Sequence, residues 1–137
     1  IDDELHARIN ALKFIKPHNL DIPNIFVNEA SWLLAQKELQ KINTYKAPRD
    51  KVVCILNCSR VISNLLTVGT DADNYGGADD FLPVLIYVLI QSNPPHLYSN
   101  LEYINRFRLQ SRLQSEAAYF YTHLVSAVHF VRVLKAD

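Results

Sequence analysis

A run of ten apolar residues, Phe81 to Ile90, constrains the fold of this chain more than any other feature. The run is about half as long as a membrane-spanning helix, so it belongs in a protein core. Its β-branched and aromatic residues are compatible with a buried strand. A helix is favoured because Asp79-Asp80 resembles an N-terminal cap, and because Pro83 is tolerated only in a first helical turn. Asn93-Pro94-Pro95 ends the segment.

Helical periodicity extends through most of the remaining sequence. Apolar residues recur every three or four positions, and capping residues or prolines separate the periodic segments. We predict further helices over 2–15, from Asn28, from Pro48, over 97–107 and over 115–135. A chain of 137 residues has room for one hydrophobic core and not comfortably for two. The sequence therefore predicts an all-α fold, a layered bundle of about six helices in a single domain that spans residues 1–137.

Composition disfavours several classes of function. The chain has 14 basic and 14 acidic residues and a formal net charge of +0, without the basic excess of a nucleic-acid-binding protein. Cys54 and Cys58, its only cysteines, are too few for a structural zinc site or a disulfide scaffold, so we interpret them as reduced packing residues of a cytosolic protein. The five histidines match no catalytic or metal-binding motif. We expect no metal and no cofactor.

All three glycines fall in residues 68–78, between two predicted helices. This segment lacks the spacing of a phosphate-binding loop and does not follow a predicted strand, so we interpret it as a surface connection.

The last predicted helix has two distinct faces. At about 100° per residue, one sector carries an apolar stripe; it consists of Phe120, Leu124, Ala127, Val128, Val131 and Leu134. Tyr119, Thr122 and Ser126 fall on nearly the opposite side. These three residues are either ordinary surface residues or part of a contact surface, for which tyrosine supplies a large rigid ring with a polar tip.

The helix predicted from Asp79 carries apolar residues all round, which is unusual for a helix that packs on one side only. A strip along it contains Pro83, Ile86 and Ile90, with Asp79 at its head. The sequence leaves two interpretations open. Either Asp79 or Asp80 is an N-cap stabilised by the helix dipole, or the strip is an exposed apolar groove with a carboxylate at its mouth.

Three motifs in a fixed order carry a family resemblance: DDFLPVLIY, SNPP and AAYFYT. With the segment KAPRDKVVCILNCSRVISNLL upstream, they closely resemble the Vps-nine (vacuolar protein sorting nine) domain family, and the tract from NEASWLLAQKELQKI onward resembles its plant members. The resemblance extends from about His6 to Val133. It implies a guanine-nucleotide exchange factor for Rab-five-type endosomal GTPases, with a groove for the GTPase switch regions between the helices that begin at Asp79 and near Ser115.

The resemblance also implies roles for four residues. Asp79 falls on the family's aspartate finger and Pro83 on the proline of its DFLP-type motif. Tyr119 and Thr122 fall on its functional tyrosine and threonine. We expect Asp79 and Tyr119 to be catalytic, in the sense of promoting nucleotide release without covalent chemistry, and Pro83 and Thr122 to bind the GTPase.

The family context implies a setting as well. The expected partner is a nucleotide-free or GDP-bound Rab-five-type GTPase, and the expected process is endocytic or vacuolar vesicle transport. We expect a cytoplasmic protein recruited peripherally to endosomal membranes, without membrane insertion by this domain. Family members are usually longer at both ends, so we expect a catalytic fragment whose flanking helices are missing. The alternatives are a non-catalytic Rab-binding effector or scaffold and, third, a small metal- or thiol-dependent enzyme.

Overall fold

A computed structural model describes residues 1–68, 78–110 and 115–134 of the chain. Its α-helices are α1 (Asp2–Ala11), α2 (Glu29–Gln40), α3 (Pro48–Val68), α4 (Ala78–Ser92), α5 (Leu97–Gln110) and α6 (Ser115–Val133). Three short 3₁₀ helices cover Pro17–Leu20, Asn24–Phe26 and Lys41–Asn43. These described ranges contain no strand, and their buried side chains form one hydrophobic core. The predicted all-α single domain is confirmed. Residues 69–77, which make up most of the predicted glycine-containing loop, and Lys135 lie outside the described residues.

Local signals set the helix starts as predicted. The Asn28 side-chain oxygen accepts a hydrogen bond from the Ser31 amide at 3.0 Å, which caps α2. Pro48 is the first residue of α3, where its missing N–H group would have no helical partner in any case.

The first helix is shorter than predicted, ending at Ala11 instead of Ile15. Leu12 and Ile15 are nonetheless buried, because their amides bond three residues back, to Ile9 and Leu12 respectively, in tight turns that keep both side chains inward. Lys16 is extended, at φ −101° and ψ 160°, as a residue before a proline usually is.

α4 is the central helix of the core. It contacts α2, α3, α6 and the 3₁₀ helix Pro17–Leu20, which explains why it is apolar all round. Ile86 is 3% exposed and Ile90 is fully buried. The interpretation of Pro83, Ile86 and Ile90 as an exposed apolar strip is therefore wrong for the two isoleucines, since neighbouring elements cover α4 on several sides.

The start of α4 also differs from the prediction. The helix begins at Ala78, so Asp79 and Asp80 are its second and third residues and do not precede it as caps. Pro83 is the sixth residue and lies in the second helical turn, not the first. Because proline has no amide hydrogen, the Asp79 carbonyl lacks the usual helical donor four residues on.

α1 fixes the ends of two other helices. The Asp2 carboxylate accepts hydrogen bonds from the Ser99 amide, at 2.9 Å, and from the Ser99 hydroxyl in the first turn of α5. Burial acts to raise the pKa of Asp2, but the two bonds with Ser99 and the nearby His96 together lower it. Arg8 donates to the carbonyls of Val131, at 2.7 Å, and Leu134 at the end of α6. An acid at a helix start and a base at a helix end both complement the helix dipole.

Buried and partly buried hydrogen bonds hold the turn between α4 and α5. The Lys51 ammonium donates to the Ile42 carbonyl at 2.8 Å and to the Asn100 side chain at 2.6 Å. The Asn100 amide donates in turn to the Asn43 side chain at 2.9 Å and to the His96 carbonyl at 2.8 Å. We call Asn43, Lys51, Asn93 and Asn100 the polar anchor; Asn93 joins it by donating to the His6 carbonyl at 3.1 Å.

Candidate functional site

The first turn of α4 meets the second and third turns of α6 through aromatic rings. The Phe81 ring centroid lies 5.5 Å from that of Phe120 and 5.3 Å from that of His123, the latter pair edge to face. Such separations are typical of favourable aromatic pairs. We call Phe81, Tyr119, Phe120 and His123 the aromatic corner. It joins the two helices on which the four predicted functional residues lie.

The residues predicted to face away from the core on α6 do so. Tyr119 is 49% exposed, and Thr122 and Ser126 are also exposed. The predicted apolar stripe is buried from Phe120 to Val131, and Leu134 packs partly against the core. Tyr119 and Thr122 directly precede Phe120 and His123 in sequence, so both lie at the aromatic corner.

Asp79 and Pro83 lie on either side of Phe81 in α4, each about 3 Å from it along the helix axis. Pro83 is half-buried. The side chain of Asp79 lies outside the described part of the structure, although its backbone belongs to the first turn of α4. The backbone positions of all four predicted residues therefore fall where α4 and α6 meet.

His123 is a member of this corner that the sequence did not single out. Its ring centroid is 4.3 Å from that of Tyr119, and its Nδ1 atom is 2.9 Å from the Tyr119 carbonyl oxygen. The spacing of four residues on one helix could have indicated the pairing with Tyr119. The contact with Phe81 depends on the packing of α4 against α6, which no local pattern reveals.

The matched region of a known family includes both helices of this corner. Residues 32–136 match the Vacuolar sorting protein 9 (VPS9) domain, a match that covers well over half of the chain. The chain belongs to the VPS9 domain family. The resemblance seen in the DDFLPVLIY, SNPP and AAYFYT motifs is thereby confirmed.

Similar proteins span plants and animals. The chain is 58% identical over 138 residues to Vacuolar protein sorting-associated protein 9A of Arabidopsis thaliana, a match that covers 98% of this chain and 26% of that protein. The protein of the same name from Oryza sativa subsp. japonica is 59% identical over 133 residues, covering 95% of this chain and 28% of the relative. The human Rab5 GDP/GTP exchange factor is 38% identical over 145 residues, covering 99% and 29%. The chain thus spans less than a third of these relatives.

The two cysteines of the VPS9 domain lie in its interior. Cys54 and Cys58 are free and buried. Burial raises the pKa of the Cys58 thiol to about 12 and also raises the pKa of Cys54, so both resist forming the reactive thiolate. Among the described residues, no three His, Cys, Asp or Glu side chains group closely enough to hold a metal ion.

Two further observations concern the described part of the VPS9 domain. No helix in the described ranges is long and apolar enough to cross a membrane. A cleft of about 340 Å³ lies between α5 and α6, lined by residues that include Tyr98, Glu102, His129 and Arg132. The residues predicted to act on a GTPase do not line this cleft.

Proposed function

We propose that this VPS9 domain is a guanine-nucleotide exchange factor that promotes GDP release from a Rab5-type small GTPase. The family and the 38% identity to the human Rab5 GDP/GTP exchange factor support the reaction class. The observation that carries the proposal is the meeting of the N-terminal halves of α4 and α6 at the aromatic corner. A groove-forming pair of helices needs such a junction to present residues from both helices to one partner.

Tyr119, Thr122 and Pro83 provide the contact surface in this proposal. Tyr119 combines a half-exposed ring with a polar tip, the combination found most often among residues that dominate interface energetics. Exposed Thr122 lies one turn along the same face, and half-buried Pro83 adds a rigid apolar surface from α4. Together they hold the switch segments of the GTPase away from its nucleotide and Mg²⁺.

Asp79 supplies the charge that weakens nucleotide binding. A P-loop lysine and Mg²⁺ hold the phosphates of a GTPase-bound nucleotide. A carboxylate close to that lysine offers it another partner and repels the phosphates. Two unit charges about 4 Å apart interact by roughly 4 kcal/mol at an effective dielectric constant near 20. That energy equals about three powers of ten in nucleotide affinity.

Thermodynamic linkage fixes which form of the GTPase the domain prefers. A protein that weakens nucleotide binding must itself bind the nucleotide-free GTPase more tightly by the same factor. No covalent step is needed. We further propose that this activity serves endocytic and vacuolar transport at endosomal membranes, to which the domain is recruited peripherally.

The test measures release of fluorescent GDP from a panel of Rab GTPases, with the parent chain and with Asp79→Asn. This substitution keeps the size of the side chain and removes its charge. We expect fast release from a Rab5-type member with the parent chain, and release slower by about a hundredfold or more with Asp79→Asn, because the charge interaction is lost. Asp80→Asn is the matched control, since it removes the adjacent carboxylate from the same turn.

Three results would contradict parts of this proposal. Equal release by Asp79→Asn and the parent chain would exclude Asp79 as the finger. Loss of release in Asp80→Asn alone would move the assignment to Asp80. A parent chain that releases no GDP, yet binds the GTP-loaded GTPase more tightly than the nucleotide-free form, would identify the domain as an effector.

A further inference from the structure

The His123 ring lies between the two helices of the aromatic corner. It packs edge to face against Phe81 of α4, with a centroid distance of 5.3 Å, and at 4.3 Å against Tyr119 of its own helix. A single imidazole thus contacts both a buried core ring and a ring that is 49% exposed. Phe81 is 4% exposed, so His123 connects Tyr119 to the rigid interior of the domain.

A hydrogen bond fixes the orientation of this imidazole. Nδ1 lies 2.9 Å from the Tyr119 carbonyl oxygen, which can only accept, so Nδ1 carries the hydrogen and donates it. In the α-helix the same carbonyl also accepts the His123 backbone amide. The hydrogen bond at Nδ1 and the packing against Phe81 together hold the His123 ring in one orientation.

We propose that His123 is a positioning residue for Tyr119: it holds the tyrosine ring in the orientation that meets the GTPase. The proposal rests on the exchange function proposed above. An exposed tyrosine loses rotational freedom when it binds a partner, and holding its ring in advance removes part of that entropic penalty. His123 acts through Tyr119 and not through contact of its own with the GTPase.

The first test is structural and needs no GTPase. Nuclear magnetic resonance of the chain with ¹³C-labelled tyrosine rings gives one set of signals per tyrosine, and the Tyr119 set is identified by its loss in Tyr119→Phe. We expect His123→Ala to move the Tyr119 signals toward those of a free tyrosine, because the nearer of the two rings that contact Tyr119 is gone and only Phe120, at 5.3 Å, remains. His123→Phe keeps a ring at this position, so the Tyr119 signals should stay displaced from those of a free tyrosine. His129→Ala, an exposed histidine of the same helix, is the control and should leave them unchanged.

The second test is kinetic. We expect His123→Ala to lower kcat/KM for GDP release by about three- to tenfold, the range that aromatic ring pairs supply. In a Tyr119→Ala background the same substitution should have no further effect, because two residues that act as one unit are not additive. His123→Phe should recover part of the loss.

Specific outcomes would overturn the proposal. Unchanged Tyr119 signals in His123→Ala would show that the imidazole does not position the ring. An equal loss of kcat/KM with and without Tyr119 would show that His123 acts on the GTPase directly. If the parent chain released no GDP, the exchange function would fail, while the resonance measurement would still decide whether His123 positions Tyr119.

Discussion

The two ends of α4 are held in different ways. At its C-terminal end, the polar anchor holds the turn to α5 with hydrogen bonds that join the buried Lys51 and Asn100 side chains to each other and to backbone carbonyls. At its N-terminal end, the aromatic corner joins α4 to α6 mainly through rings. The polar anchor buries Lys51 and Asn100, at 8% and 6% exposure, whereas the aromatic corner leaves Tyr119 49% exposed.

This difference separates fold from function along one helix. A buried polar group is costly unless its hydrogen bonds are satisfied, so the bonds of Lys51 and Asn100 allow few alternative arrangements here and help to specify how α4 continues into α5. The left-handed backbone at Asn93 and His96, with φ of 39° and 59°, belongs to this fixed turn. Aromatic packing tolerates an outward-facing ring, so the aromatic corner can keep Tyr119 available to a partner while Phe81 and Phe120 remain in the core.

The largest effect on stability is expected at the polar anchor. Asn100→Ala removes an acceptor from the buried Lys51 ammonium and a donor from Asn43 and the His96 carbonyl. We expect the free energy of unfolding to fall by about 2 kcal/mol, because the buried Lys51 ammonium loses one of its two acceptors and two partly buried hydrogen bonds are lost with it. Urea denaturation should show a lower midpoint with an unchanged slope.

Asn105→Ala is the matched control for this change, since it makes the same substitution on the same helix, at a half-buried position that lines the cleft between α5 and α6. Both variants gain the better helix propensity of alanine, so their difference isolates the polar anchor. Equal stability of the two variants would mean that the Asn100 hydrogen bonds contribute nothing net. GDP release by folded Asn100→Ala should stay within about twofold of the parent, because distant sites act independently.

At the aromatic corner we expect a small effect on stability and a large effect on GDP release. Tyr119→Ala should change the free energy of unfolding by less than about 1 kcal/mol, since the ring is half-exposed. GDP release should fall by about thirtyfold, equivalent to about 2 kcal/mol, the effect of a dominant interface residue. Phe130→Ala is the control, because Phe130 is a 36% exposed aromatic residue elsewhere on α6. If Tyr119→Ala lost stability but kept its rate of GDP release, Tyr119 would serve the fold and not the exchange activity.

Local sequence signals predicted much of the fold. Asn28 and Pro48 indicated helix starts correctly because capping and proline geometry act within a single turn. The end of α1 was predicted too late, because Leu12 and Ile15 continue the apolar spacing through turns that are not helical. The length of the apolar run correctly predicted a core segment, whereas the alternative of an exposed strip through Ile86 and Ile90 was wrong because it did not account for how many elements surround α4.

The candidate site was predictable to a similar extent. Helical periodicity correctly predicted that Tyr119 and Thr122 face away from the core, because the apolar stripe of α6 determines which face of the helix is buried. The role proposed for Asp79 came from the family resemblance alone, and it stays a prediction. His123 was missed because its importance arises from packing against Phe81, a contact between helices that are distant in sequence.

The smallest expected effect is a dependence of stability on pH at the polar anchor. Burial lowers the pKa of the Lys51 ammonium below its ordinary value of 10.5, and the nearby Cys54 thiol offsets this in part. As the pH rises toward 10.5, the folded state loses this proton before the unfolded state does. The unfolded state then binds more protons, so the contribution of Lys51 to the free energy of unfolding increases with pH.

Comparison of the parent chain with Lys51→Met between about pH 8 and 10 isolates this contribution, because methionine does not titrate there. The difference in unfolding free energy, parent minus variant, should rise with pH. Exposed Lys41 is the control with the opposite sign: its hydrogen bond to Glu38 raises its pKa, so its contribution should fall as the pH passes through the raised value. If the unfolding free energies of the parent chain and Lys51→Met changed equally with pH, the Lys51 ammonium would be hydrated in the folded state. The polar anchor would then lack the dry interior that distinguishes it from the aromatic corner.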